Sequence, residues 1–92
     1  MDTNYQIFTV LYSDGFFDDL KSVSAKNALS ILDGIDRLER FPEMGKETRN
    51  PKWSGFRYLI IKEFVIFYTI DFKLKTVNVE FAKHGKMDMF NQ

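Results

Sequence analysis

The stretch FRYLIIKEFVIFYTI, Phe56 to Ile70, decides the fold of this chain. It reads as two short strands joined by a two-residue turn at Lys62-Glu63, with Arg57 near the entrance and Tyr68 near the exit. Nearly every other position is large and apolar, and no three- or four-residue stripe marks a helix. β-Branched and aromatic side chains in such a run belong at the centre of a small antiparallel sheet.

Upstream, Tyr5 to Tyr12 (YQIFTVLY) has strand composition throughout. Ile7, Thr9 and Leu11 share one face and Phe8 and Val10 the other, which predicts a strand covered on both sides. Ser13-Asp14 offers an N-cap for a short helix carrying Phe16, Phe17, Leu20 and Val23, with Asp18 and Asp19 on its outer side. Ser24 is a second cap, after which Ala28, Ile31, Leu32, Ile35 and Leu38 form one helical stripe. Gly34 costs that helix about 1 kcal/mol relative to Ala, so it marks a close approach to the first helix or to the sheet. Pro42 ends the helix and Gly45 closes the turn. With so short a link, the two helices make an antiparallel hairpin.

Gly45 to Gly55 (GKETRNPKWSG) is irregular and basic, and holds the single Trp53. It reads as a mobile or partner-facing loop. Beyond the central hairpin, Asp71 to Lys75 makes a polar turn. Thr76 to Ala82 (TVNVEFA) then alternates, with Val77, Val79 and Phe81 on one face and Asn78 and Glu80 on the other. KHGKMDMFNQ is a short polar end. The expected class is α+β in the order β-α-α-β-β-β. A small antiparallel-rich sheet has its first strand returned beside later ones and a helical hairpin on one face; the other face is open or concave. No linker or repeat divides the chain, so residues 1–92 read as a single domain.

Composition narrows the function. The chain is 45% hydrophobic and 16% aromatic, with ten Phe. These rings supply apolar area, at roughly 25 cal/mol per Å² buried, to a chain near the lower size limit for a single core. Cysteine is absent, which excludes disulfides and thiolate metal sites. The N-terminus lacks a secretion signal, and no apolar run approaches the ~20 residues needed to cross a bilayer. A cytoplasmic protein with no membrane partner is expected. Thirteen basic residues balance thirteen acidic ones, which argues against broad nucleic-acid binding, because phosphate neutralisation demands a basic excess. The acids gather between Asp14 and Glu43. Lys46, Arg49, Lys52 and Arg57 crowd the middle, and Lys73, Lys75, Lys83 and Lys86 lie near the end.

Few side chains offer chemistry. His84 is the only histidine; it reads as a capping or hydrogen-bonding residue, or as an acid-base group, since imidazole titrates near neutrality. One His without Cys makes no metal site. Arg57 is either a solvent-edge arginine stacked on Trp53 or Tyr58, or an anion- or partner-binding group. Trp53 either plugs the core edge or anchors a partner. Tyr68 reads as a core aromatic whose hydroxyl reaches the rim. No glycine pattern resembles a phosphate loop, and no cofactor is implied.

Several segments together resemble the RelE/ParE superfamily of bacterial type II toxins. Leu38-Glu39-Arg40-Phe41-Pro42 with Met44-Gly45 resembles the family's end of the second helix. Arg57 in FRYLII resembles the arginine opening its second strand, and FVIFYTI, Phe64 to Ile70, its most characteristic strand. EFAKHGKMD, Glu80 to Asp88, resembles the last strand with its terminal His-Gly-basic segment. The resemblance spans the chain and implies one of two activities. RelE-like members are ribosome-dependent mRNA endonucleases that use a basic cluster and commonly a C-terminal Tyr. In this chain Arg57 fills one such position, Leu59 and Val65 fall where other basic residues are expected, His84 stands for an arginine, and Phe90 replaces the Tyr. ParE-like members poison DNA gyrase without the nuclease set, and this branch, described as plasmid stabilisation proteins, is the closer one.

The resemblance implies a cognate antitoxin as partner and DNA gyrase as target, with ribosome and mRNA, or a non-toxic antitoxin-binding scaffold, as the alternatives. Direct sequence-specific DNA binding by the toxin alone is not expected. Trp53, Arg57, Tyr68 and Lys86 are the expected partner-binding residues. Arg57 and His84 are the catalytic pair only if the chain is a nuclease.

Overall fold

A computed structural model describes residues 7–85. Among the described residues five strands form one mixed sheet in the order β1-β5-β4-β3-β2. They are β1 (Thr9–Tyr12), β2 (Lys46–Glu47), β3 (Arg57–Ile61), β4 (Phe64–Asp71) and β5 (Thr76–His84). The helices α1 (Asp14–Leu20) and α2 (Ala25–Asp36) lie between β1 and β2. β1 runs parallel to β5, and the other pairs are antiparallel. The α+β class and the returned first strand are as expected.

Local chemistry sets the boundaries. Ser13 Oγ accepts from the Phe16 N–H at 3.0 Å, and Ser24 Oγ from the Asn27 N–H at 3.2 Å. Each cap satisfies an orphan donor at a helix start. α1 stops at Leu20, so Val23 lies in the link rather than on the helix. α2 ends at Asp36 and tightens into a single 3₁₀ turn, Arg37–Glu39, which still delivers Leu38 to the core. The hairpin turn lies at Lys62-Glu63, with Ile61 opposite Phe64 and Lys62 at φ 57°.

Phe16, Ile31, Ile35, Leu38, Ile66, Tyr68, Val77 and Val79 are completely or almost completely buried between helices and sheet. Each such apolar side chain contributes about 1.5–3 kcal/mol of transfer free energy. Gly34 makes its close approach to the sheet: a Cβ there would stand 2.6 Å from Ile61 Cδ1.

The sequence reading of β5 needs correction at one residue. Phe67 pairs with Phe81 but Tyr68 pairs with Val79, leaving Glu80 as the extra residue of a bulge. A bulge shifts the period-two alternation by one. Val77, Val79 and Ala82 therefore face the core, and Phe81 turns to the opposite face beside Phe67. Ser13 Oγ donates to the Glu80 carbonyl at 2.8 Å and so ties the start of α1 to the bulge.

Asp19 also differs from expectation. β1 accompanies β5 only as far as Val79, and α1 then takes over that edge. Asp19 Oδ2 accepts the Ala82 N–H at 2.9 Å while Oδ1 pairs with Lys83 Nζ at 3.1 Å. A carboxylate thus replaces a neighbouring strand, and Asp19 turns inward while Asp18 stays out. β1 in turn is covered on one face only: Leu11 is 48% exposed.

Candidate functional site

The loop before β3 is not the open segment its composition predicts. Trp53 stacks on Phe67 with centroids 5.1 Å apart and planes 20° apart, and meets Phe56 and Phe81 edge-on at 5.7 and 6.0 Å. Thr48 Oγ1 donates to the Trp53 carbonyl at 2.5 Å, and the Phe56 N–H to that same carbonyl at 3.0 Å. The loop is folded over the helix-free face as a small aromatic core, so that face is partly covered. Of the two readings left open for Trp53, its ring contacts match the plug.

Arg57 and Tyr68 face each other across β3 and β4 and converge on the segment Pro42–Gly45. Tyr68 Oη donates to the Pro42 carbonyl at 2.7 Å and accepts the Gly45 N–H at 2.9 Å. Arg57 Nη1 donates to the Gly45 carbonyl at 2.7 Å and, more weakly, to the Glu43 carbonyl at 3.3 Å. Its Nη2 lies 3.3 Å from Glu47 Oε2 and 3.7 Å from Glu43 Oε2. The guanidinium is therefore spent on backbone and on two carboxylates. Tyr68 is completely buried, so its hydroxyl does not reach the rim and it presents no surface to a partner. Burial pushes its pKa above the ordinary 10.0; the Gly45 N–H and Arg57 oppose that shift, and Glu43 adds to it.

His84 stands at the other end of β4, paired with Phe64. Its ring meets Phe64 edge-on at 5.4 Å, and Nε2 lies 3.1 Å from Glu63 Oε1. Four residue steps along β4 and two strand spacings separate Arg57 from His84, about 16 Å through the sheet. Leu59 and Val65 lie on β3 and β4 between them, and neither can donate a proton or carry charge. Lys86 and Phe90 lie outside the described residues.

The structure thus brings Arg57 and Tyr68 together, places Trp53 on the opposite face and leaves His84 apart. Sequence reasoning missed the acceptors that occupy these groups: Glu43, Glu47, Glu63 and the carbonyls of Pro42 and Gly45. Only strand register reveals them. Among the described residues no three His, Asp or Glu side chains gather into a metal-binding group. A polar cavity of about 300 Å³ opens between Arg49, Asn50 and Ser54 beside Arg57. No helix among the described residues is long and apolar enough to cross a membrane.

This arrangement defines a small α+β fold in which Arg57, Tyr68 and His84 each have partners within the chain. The family model of the ParE toxin of type II toxin–antitoxin systems (parDE) matches residues 10–89, and the chain belongs to that family. Among solved structures it is similar to the Mycobacterium tuberculosis RelBE2 toxin–antitoxin complex, with 21% identity over 85% of this chain and 98% of that one, and a TM-score of 0.76. An archaeal RelE–RelB complex from Pyrococcus horikoshii matches at 16% identity over 88% and 98%, TM-score 0.66. A chromosomal ParDE system from P. aeruginosa matches at 13% over 85% and 96%, TM-score 0.60. Curated protein sequences give no match.

Proposed function

We propose that this chain is a cytoplasmic toxin that poisons DNA gyrase by binding, without catalytic residues of its own, and is silenced by a cognate antitoxin. The observation that carries this reading is the separation of Arg57 from His84. General acid-base cleavage of a phosphodiester needs proton-transfer groups within hydrogen-bond reach of one phosphate, with positive charge beside it. Here the backbone positions that carry the two candidate groups lie about 16 Å apart across the sheet. One is tied to Gly45, Glu43 and Glu47, the other to Glu63. The ParE family match supports the same choice. Three solved relatives were determined as toxin–antitoxin systems, which supports an antitoxin partner.

Expression of the chain without its antitoxin tests the proposal. Growth arrest with filamentation, a DNA-damage response and intact mRNA is expected. Arrest with mRNA cut in the ribosomal A site would replace it with the nuclease reading.

A further inference from the structure

The tip of the β4–β5 hairpin, Asp71 to Lys75 (DFKLK), carries its apolar side chains in water. Phe72 is 57% exposed and Leu74 71%, and Ile7, one residue before Phe8, is 57% exposed. All three stand at one end of the sheet. Phe72 meets Phe8 edge-on at 5.9 Å, and Thr9 donates its N–H to the Lys75 carbonyl at 2.9 Å. Exposed apolar residues gathered in this way mark a contact surface, whereas scattered ones do not.

The turn itself is held firmly. Asp71 pairs with Thr76 across the hairpin, and its Oδ1 accepts the Leu74 N–H at 2.9 Å. Lys75 takes φ 57°, a left-handed conformation that few residues with a Cβ adopt. These bonds and the contact with β1 fix the backbone that presents Phe72 and Leu74 before any partner arrives. Ordering completed beforehand lowers the cost of binding. Leu74 belongs neither to the core cluster nor to the contacts that Arg57 and Tyr68 make with Gly45. His84 is remote: its partner Phe64 lies seven residue steps along β4 from Asp71, about 23 Å.

Charge narrows the choice of occupant. Lys73 and Lys75 alternate with the two apolar residues, and among the described residues neither has a carboxylate within ion-pair distance. Asp71, the acid next to them, serves the Leu74 amide. Two unpaired cations around an apolar tip are complementary to an apolar pocket rimmed by carboxylates. A second copy joined tip to tip would set these lysines against themselves. A chain without net charge is drawn only weakly to an anionic lipid surface.

We infer that this tip is the part of the chain that docks on DNA gyrase, with Phe72 and Leu74 entering an apolar pocket there and Lys73 and Lys75 meeting its acidic rim. The inference rests on the gyrase reading above and gives that reading a surface.

The test uses the full chain with gyrase and supercoiled plasmid. Leu74→Ser and Lys73→Glu should each raise the concentration needed for half-maximal linear plasmid at least tenfold. Their thermal melts should stay close to that of the parent chain, with the same yield of linear plasmid at saturation. Leu29→Ser, at a 69% exposed position on α2, should change that concentration less than twofold. Added salt should weaken gyrase binding by the parent chain more steeply than by Lys73→Glu. Unchanged poisoning by Leu74→Ser and Lys73→Glu would overturn the inference and leave the gyrase reading standing. So would unchanged poisoning in a Leu74→Ser variant that has lost binding to anionic vesicles or to a second copy, since one of those would then be the occupant. Absence of linear plasmid with the parent chain would instead remove the gyrase reading, and the inference with it.

Discussion

Arg57 and Tyr68, opposite one another on β3 and β4, hold both backbone polar groups of a single residue: Arg57 donates to the Gly45 carbonyl and the Gly45 N–H donates to Tyr68. Neither bond is local in sequence, and together they fix where the chain leaves the helices and enters the sheet. Removing either partner leaves a backbone group without its acceptor or donor. The pair is therefore a structural clamp, and loss of toxicity in an Arg57 variant reports on the fold before it reports on a target.

Gly45→Ala should be severe and Gly34→Ala mild, although both sites are crowded. A Cβ on Gly45 would lie 2.5 Å from Tyr68 Oη and 2.7 Å from the Tyr58 carbonyl. The clamp cannot yield without losing its bonds, so about 2–4 kcal/mol should be lost. A Cβ on Gly34 would stand 2.6 Å from Ile61 Cδ1 and 3.1 Å from its Cγ1; these are side-chain atoms that can shift, and the helix gains up to about 1 kcal/mol of propensity. Urea denaturation of both variants measures the contrast.

Asp19→Ala should destabilise by about 1–3 kcal/mol, because it strips the acceptor from a strand N–H and the partner from Lys83. Asp19→Asn, which keeps an acceptor oxygen, should lose less. Hydrogen exchange at the Ala82 amide gives the direct readout: faster in Asp19→Ala, nearly unchanged in Asp19→Asn.

Trp53 is the chain's only tryptophan, so its fluorescence reports on the loop. Stacked on Phe67, it should emit to the blue of free tryptophan and shift red on unfolding. Trp53→Ala should cost about 2–3 kcal/mol, somewhat less than a full core truncation because the ring is half-buried. Trp53→Phe should retain much of that loss.

Alkaline pH should weaken the fold through Tyr68 and Tyr12. Burial raises both pKa values above 10.0, and Asp36 and Glu39 raise Tyr12 further. The folded state then favours the neutral phenol. That contribution is fully present below the unfolded value of 10.0 and is lost as pH climbs through the raised folded values. Stability measured in urea from pH 9 to pH 11.5 should fall less steeply in a Tyr12→Phe, Tyr68→Phe double variant than in the parent chain.

Much of this fold was legible because its signals are local. The run Phe56–Ile70, the caps Ser13 and Ser24, and the stripe from Ala28 to Leu38 each follow from neighbouring residues. What was not legible depends on register. The bulge at Glu80 reverses Phe81, and no local pattern in TVNVEFA announces it. Asp19 faces inward only because β1 ends at Tyr12, leaving Ala82 an edge to be satisfied. β2 is two residues long, too short for periodicity to show. The candidate site suffered in the same way: Arg57, Tyr68 and His84 were visible as residue types, but their partners come from across the sheet.

The measurement that bears most directly on the central claim is a gyrase assay with purified chain and supercoiled plasmid, run beside the His84→Gln variant. Trapped double-strand breaks, seen as linear plasmid at equal yield with both proteins, are the predicted result. Full supercoiling activity with no linear DNA from either protein, alongside mRNA cleavage on translating ribosomes that His84→Gln abolishes, would contradict it.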